Sequence, residues 1–96
     1  MTTRAKLIKD KYEELIENIK PYVPDGCEPF PSLDDIDVAD IILLFSMHFG
    51  ETDNLDEIRN KVKELFDTMG CRVDEKNFNS GYPHIETFVL WLKTLV

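Results

Sequence analysis

Four side chains in this sequence, Cys27, His48, Cys71 and His84, have the chemistry to ligate a transition metal or to form a nucleophile–base pair. Zinc sites built from such residues draw them from closely spaced pairs, whereas these four occur singly along the chain. No local sequence around either cysteine resembles a nucleophile turn, and there is no glycine-rich loop to cradle a phosphate. The thiols are expected to be reduced and unpaired, as is usual in a small domain without an apolar leader. Carboxylates are the more abundant candidates. "PSLDDIDVAD" at 31–40 carries Asp34, Asp35, Asp37 and Asp40, and "ETDNLDE" at 51–57 carries Glu51, Asp53, Asp56 and Glu57. Hard cations such as calcium choose carboxylate oxygens, but neither stretch has the central glycine and the distal glutamate of an EF-hand loop. Glutamate pairs on acidic helices are too common to mark acid–base chemistry. The expectation is a non-enzymatic protein with no catalytic residue, no metal site and no cofactor.

Charge distribution is the more specific signal. The 96 residues carry 19 acids and 11 bases, a net charge of −8. Such a balance argues against direct binding to nucleic acid, whose affinity rests on lysine and arginine neutralising phosphates. Between Lys20 and Arg59 there is no basic residue and there are ten acids, so this interval alone carries more than the whole net charge. Capping explains one or two acids in a helical first turn. Asp40 is read as lying deeper in its helix, and the acidic excess resumes before the next one. Like charges at helical spacing cost a few tenths of a kcal/mol per pair, a burden that a partner surface could justify.

The elements that position these residues are read from periodicity. Ile8, Tyr12, Leu15, Ile16 and Ile19 recur at helical spacing over 3–20, and Pro21 ends that helix. "PYVPDGCEPFPS" reads as an ordered loop pinned by Tyr22, Val23 and Phe30. A second helix is expected to begin after Ser32 or Asp35 and to close at Gly50; its apolar residues surround most of the circumference, and its β-branched content is also compatible with a strand. The third carries Leu55, Ile58, Val62, Leu65, Phe66 and Met69, with Thr52 or Asp53 as cap and Gly70 as terminator. "CRV" and "DEKNFNSGY" read as a short extended stretch or hairpin within 71–82, and Pro83 as the first residue of a final helix. "TFVLWL" in that segment also suits a strand. Its second apolar face, at Leu90 and Trp91, is a candidate dimer interface. The fold class is therefore mostly α, a single four-helix domain over 1–96. No apolar run approaches the roughly 20 residues that span a bilayer, and a cytoplasmic location is expected.

Two resemblances follow. "PSLDDIDV" looks like the D-S-L motif of acyl and peptidyl carrier domains, which are acidic four-helix proteins of this size; that likeness implies phosphopantetheine on Ser32, although Pro31 stands where the family has aspartate. The chain also resembles, in size, charge and helical body, the small acidic DNA-mimic proteins by which bacteriophages inhibit restriction enzymes, the Arn-like anti-restriction proteins among them. That resemblance implies a basic DNA-binding host protein or nuclease as partner and action in the host cytoplasm; the charge spacing adds that a two-fold dimer through Leu90 and Trp91 would double the length of duplex imitated. The resemblance carries no residue roles; from their clustering in the acidic interval, the partner-binding residues expected are Asp34, Asp35, Asp37, Asp40, Glu51, Asp53, Asp56 and Glu57. A plain helical adaptor, binding through the Trp91 face, is the third reading.

Overall fold

The computed structural model describes residues 3–50 and 52–95. Helix α1 spans Arg4–Ile19, α2 Val38–Phe49, α3 Leu55–Thr68 and α4 Glu75–Leu95, with a 3-10 turn over Lys20–Tyr22 after α1. No strand occurs among the described residues. The principal extents are 41 × 29 × 20 Å.

Local chemistry sets the boundaries. Thr3 caps α1, its hydroxyl accepting from the Lys6 amide at 3.2 Å, and Pro21 forces the chain into the tighter 3-10 turn. Ile8, Tyr12, Leu15 and Ile19 form the buried stripe. The following proline-rich loop is ordered: Phe30 is buried and stacks on Phe45 at 5.3 Å, while the Tyr12 hydroxyl donates to the Pro31 carbonyl. Helix α3 ends in a Schellman motif. Gly70 takes φ +74°, its amide donates to the Asp67 carbonyl at 3.0 Å, and the Cys71 amide donates to the Phe66 carbonyl at 2.9 Å.

Three boundaries differ from those expected. Helix α2 starts at Val38, later than Ser32 or Asp35, because Asp37 is its cap and residues 32–35 form a separate turn closed by the Asp35 amide on the Ser32 carbonyl at 3.0 Å. Asn54, rather than Thr52 or Asp53, caps α3, accepting from the Asp56 and Glu57 amides at 2.9 and 3.2 Å. The largest correction is at 71–82, where the hairpin gives way to helix: α4 begins at Glu75 and runs through Pro83. Its buried residues Phe78, Tyr82, Ile85, Phe88, Val89 and Leu92 form one continuous apolar stripe, and Asp74 satisfies the Asn77 amide at 2.7 Å. Burial along that stripe outweighs the one hydrogen bond that Pro83 forgoes. The core centres on Tyr12, Phe30, Phe45, Phe49 and Phe88, where α1, α2 and α4 meet the loop, with Phe88 lying 4.8 Å from Phe45.

The cysteines depart furthest from expectation. Cys27 and Cys71 are joined as a disulfide, with Cα atoms 5.6 Å apart, so neither thiol is free. The bridge ties the proline-rich loop to the end of α3 across a sequence separation of 44. The spacing gave no sign of it because the pairing is made by the tertiary return of α3 toward the loop, a long-range relation that no local pattern records.

Candidate functional site

Helix α2 organises the acidic interval. Asp37 is its N-cap and accepts from the Asp40 amide at 2.9 Å, while the Asp40 carboxylate receives the Asp37 amide at 3.5 Å. The pair is a reciprocal capping box. Asp40 is therefore a first-turn residue, not a deeper one, and capping accounts for more of the cluster than the sequence suggested. Asp35 accepts from the Ser32 hydroxyl at 2.9 Å, and Glu57 accepts from the buried Thr52 hydroxyl. Asp56 and Glu57 occupy the first turn of α3, where negative charge complements the helix dipole.

These roles do not neutralise the charge. Asp34, Asp35, Asp37, Asp40, Asp53, Asp56 and Glu57 are all exposed. Asp53 alone of the seven is within ion-pairing distance of a cation among the described residues, at 3.8 Å from Lys93. Glu51 lies outside the described residues. The other ion pair, Lys11 with Glu14 at 3.9 Å, is on α1.

The placement is bipartite. Asp34, Asp35, Asp37 and Asp40 gather at the N-terminal end of α2; Asp53, Asp56 and Glu57 follow its C-terminal end. Asp53 lines one cleft with Ser46 and Gly50 from the last turns of α2 and with Val89, Leu92 and Lys93 from α4. At a rise of 1.5 Å per residue the twelve residues of α2 make a helix about 18 Å long, with the first group at its start and the second following its end. Between them, on the side of α2 away from the core, stand Leu43 at 57% exposure and Met47 at 75%. The sequence reading treated α2 as a core helix and missed this exposed pair; the signal was the apolar character all round the helix, more than one buried face can use.

The remaining candidates are placed as follows. Leu90 is exposed and Trp91 half-buried, its ring 5.8 Å from Phe88 with the Lys11 ammonium above it at 5.9 Å. Trp91 thus belongs largely to the α1–α4 packing, and Leu90 is the freer of the two. Ser32 sits in the turn before α2, six residues ahead of the helix, with its hydroxyl held by Asp35. Both cysteines are consumed by their bridge and cannot ligate zinc or act as thiolates in that state. No group of three or more metal-ligating side chains converges among the described residues. Burial raises the Tyr12 phenol well above its usual range. Tyr82 is also raised, first by burial and then by Glu86 and Asp56, against the lowering influence of Arg59. Both hydroxyls are structural donors, Tyr82 to the Leu55 carbonyl at 3.2 Å. Among the described residues no helix is long and apolar enough to cross a membrane. Comparison with family models, with curated protein sequences and with solved structures finds no match.

Proposed function

We propose that this chain is a non-enzymatic acidic protein that binds a basic, DNA-binding protein and inhibits it by occupying the site that receives DNA, as the phage anti-restriction proteins it resembles do. One observation carries the reading: six of the seven described carboxylates between Asp34 and Glu57 have no cation within ion-pairing distance among the described residues. The seven described carboxylates equal the charge on about 12 Å of B-DNA at one charge per roughly 1.7 Å, and α2, which separates most of them, is about 18 Å long. Unpaired surface charge of this kind steers a basic groove into fast, salt-sensitive association. A two-fold dimer through Leu90 would lengthen the charged body. The carrier alternative gains nothing from the position of Ser32, which stands outside the first turn of α2.

A cytoplasmic site of action, the host's if a phage encodes the chain, belongs to the same reading. The disulfide weighs against it, because such bridges persist in oxidising compartments; in a cytosolic setting the working form is the dithiol.

The test replaces Asp34 and Asp56 with lysine. Neither carboxylate accepts a capping hydrogen bond, and far-ultraviolet circular dichroism checks that α3 survives the loss of the Asp56 charge from its first turn. Immobilised wild type should capture a basic protein from a bacterial lysate, release it at moderate salt, and lose it to added duplex DNA. The double reversal should capture little. Capture that resists DNA competition and survives the reversal would refute the proposal.

A further inference from the structure

The Cys27–Cys71 bridge joins two segments of unequal constraint. Cys71 is 6% exposed, belongs to the core cluster, and has its amide fixed in the Schellman ending of α3. Cys27 is half-buried and closes a β-turn, its amide donating to the Pro24 carbonyl at 3.1 Å around Gly26 at φ +82°. Pro29 and Phe30 are buried and the Pro31 carbonyl is held by Tyr12, but among the described residues no hydrogen bond ties 24–28 to another element. The bridge is what fastens that segment. Each cysteine also borders a different cleft. One, of about 330 Å³ between the end of α1 and the proline-rich loop, sets Cys27 among apolar Ile16 and Phe30 and charged Glu17, Lys20, Asp25 and Glu28. The other is lined by Cys71 with Lys63 and Arg72 against Asp67, Asp74 and Glu75.

We propose that the bridge is a thiol-exchange site: a thiolate entering the cleft beside α1 attacks Cys27, and the reactant admitted best is a small thiol that also carries an ammonium group. Accessibility selects the sulfur, since Cys27 is reachable from solvent where Cys71 is packed in the core. The new S–S bond forms to the Cys27 Sγ as the Cys27–Cys71 bond breaks, and Cys71 departs as a thiolate that takes a proton from water. One thiol is consumed, one is released, and no further oxidant or reductant is required. Charge selects the reactant. The cleft holds three carboxylates against one ammonium, and none of the four is within ion-pairing distance of a partner among the described residues. Their net field repels a bare thiolate, an ammonium on the same molecule cancels that repulsion, and a sulfonate doubles it. Exchange also unfastens 24–28 and leaves the acids from Asp34 onward in place, because Phe30 and Pro31 hold the chain between them. None of this depends on what the acidic surface binds.

The experiment exposes the oxidised full chain to cysteamine, mercaptoethanol or mercaptoethanesulfonate at low ionic strength. Exchange is stopped in acid, and free thiols are alkylated with N-ethylmaleimide under denaturing, mildly acidic conditions. Peptide mapping should find the mixed disulfide on Cys27 and the maleimide on Cys71. Rates, taken relative to those with a neutral model disulfide, should fall in the order given by about threefold or more at each step and converge as salt is raised. Asp25→Lys with Glu28→Lys turns the cleft's charge positive and should reverse the order. Amide hydrogen exchange should quicken over 25–28 in the adduct and stay unchanged at Ile41. An adduct on Cys71, or equal amounts on both cysteines, overturns the site. Rates indifferent to charge overturn the reactant class, and unchanged hydrogen exchange over 25–28 overturns the release. A chain whose two cysteines take maleimide before any thiol is added has no bridge, and the proposal falls with it.

Discussion

Asp37 and Asp40 cap one another, each carboxylate taking the other residue's backbone amide, and this reciprocal pair fixes where α2 begins. Replacing Asp37 by alanine should lower stability by about 1 kcal/mol, the usual worth of a side-chain cap, as a shift of the urea midpoint without change of slope. The substitution Asp37→Asn should keep most of that stability, because the amide oxygen can still accept. If alanine costs nothing, the capping box does not determine the start of the helix.

Reduction of the Cys27–Cys71 bridge should have a larger effect. Closing a loop with a sequence separation of 44 restricts the unfolded chain by about 4 kcal/mol in the chain-entropy description, a large part of the roughly 5–15 kcal/mol that holds a typical domain together. Thermal unfolding in dithiothreitol, and of the variant Cys27→Ser with Cys71→Ser, should be displaced downward together by a similar amount. The dithiol chain should keep its far-ultraviolet helical spectrum at about 25 °C, since Cys71 and Cys27 sit at one edge of a core whose aromatic contacts among Tyr12, Phe30, Phe45 and Phe88 involve neither sulfur. Coincident melting curves with and without reductant would show that the two thiols are unpaired.

The helical framework was legible in the sequence where burial is periodic and local. The α1 stripe of Ile8, Tyr12, Leu15 and Ile19 and the glycine terminator of α3 follow from spacing and from the special freedom of Gly70. The start of α4 was not, because the turn-forming residues of 74–81 and Pro83 suggest a break, while the stripe through Phe78, Tyr82 and Ile85 becomes decisive only once Tyr22 is seen against it: a Cβ on Gly81 would lie 3.2 Å from the Tyr22 Cβ. Of the candidate site, the identities of the acids were plain and their division between the two ends of α2 was not. That division depends on how long the intervening helix is and which way its other residues face.

Pro83 lies inside α4 on an exposed side. Pro83→Ala restores one backbone amide and a better helix former, and should raise stability by about 1–3 kcal/mol. A higher thermal midpoint with unchanged helical content is the expected result. A lower midpoint would mean that the proline sets a bend on which the packing of Gly81 against Tyr22 depends.

Ile41 and Leu43 provide an internal contrast within two residues of one helix. Ile41→Ala removes a side chain with no exposed surface and should cost about 2–5 kcal/mol, whereas Leu43→Ala should change stability by less than about 0.5 kcal/mol. Chemical denaturation of both variants measures the difference directly. Equal losses would place Leu43 in the core and remove the exposed pair.

Alkaline titration follows the two buried phenols, of which Tyr12 is the more strongly raised. Its phenol is raised by burial and its hydroxyl donates to the Pro31 carbonyl. The protonated form is therefore favoured in the folded chain, so the stability it contributes is complete below the unfolded value near about pH 10 and declines as pH rises from there through the folded value. Ultraviolet absorbance of the phenolate should show Tyr12 ionising only as the helices melt. Tyr12→Phe should remove one phenol from that late step and leave the part due to Tyr82, which burial also raises; an unchanged amplitude would mean that Tyr12 does not titrate late.

The bridge also makes the backbone redundant at one point. Cys27 and Cys71 lie on either side of the connection between α2 and α3, so a protease that cuts between Phe49 and Leu55 leaves two pieces still covalently fastened. Such a nicked molecule would migrate as one band under non-reducing electrophoresis and as two after reduction, and could present both acidic ends of α2 although its polypeptide is no longer continuous.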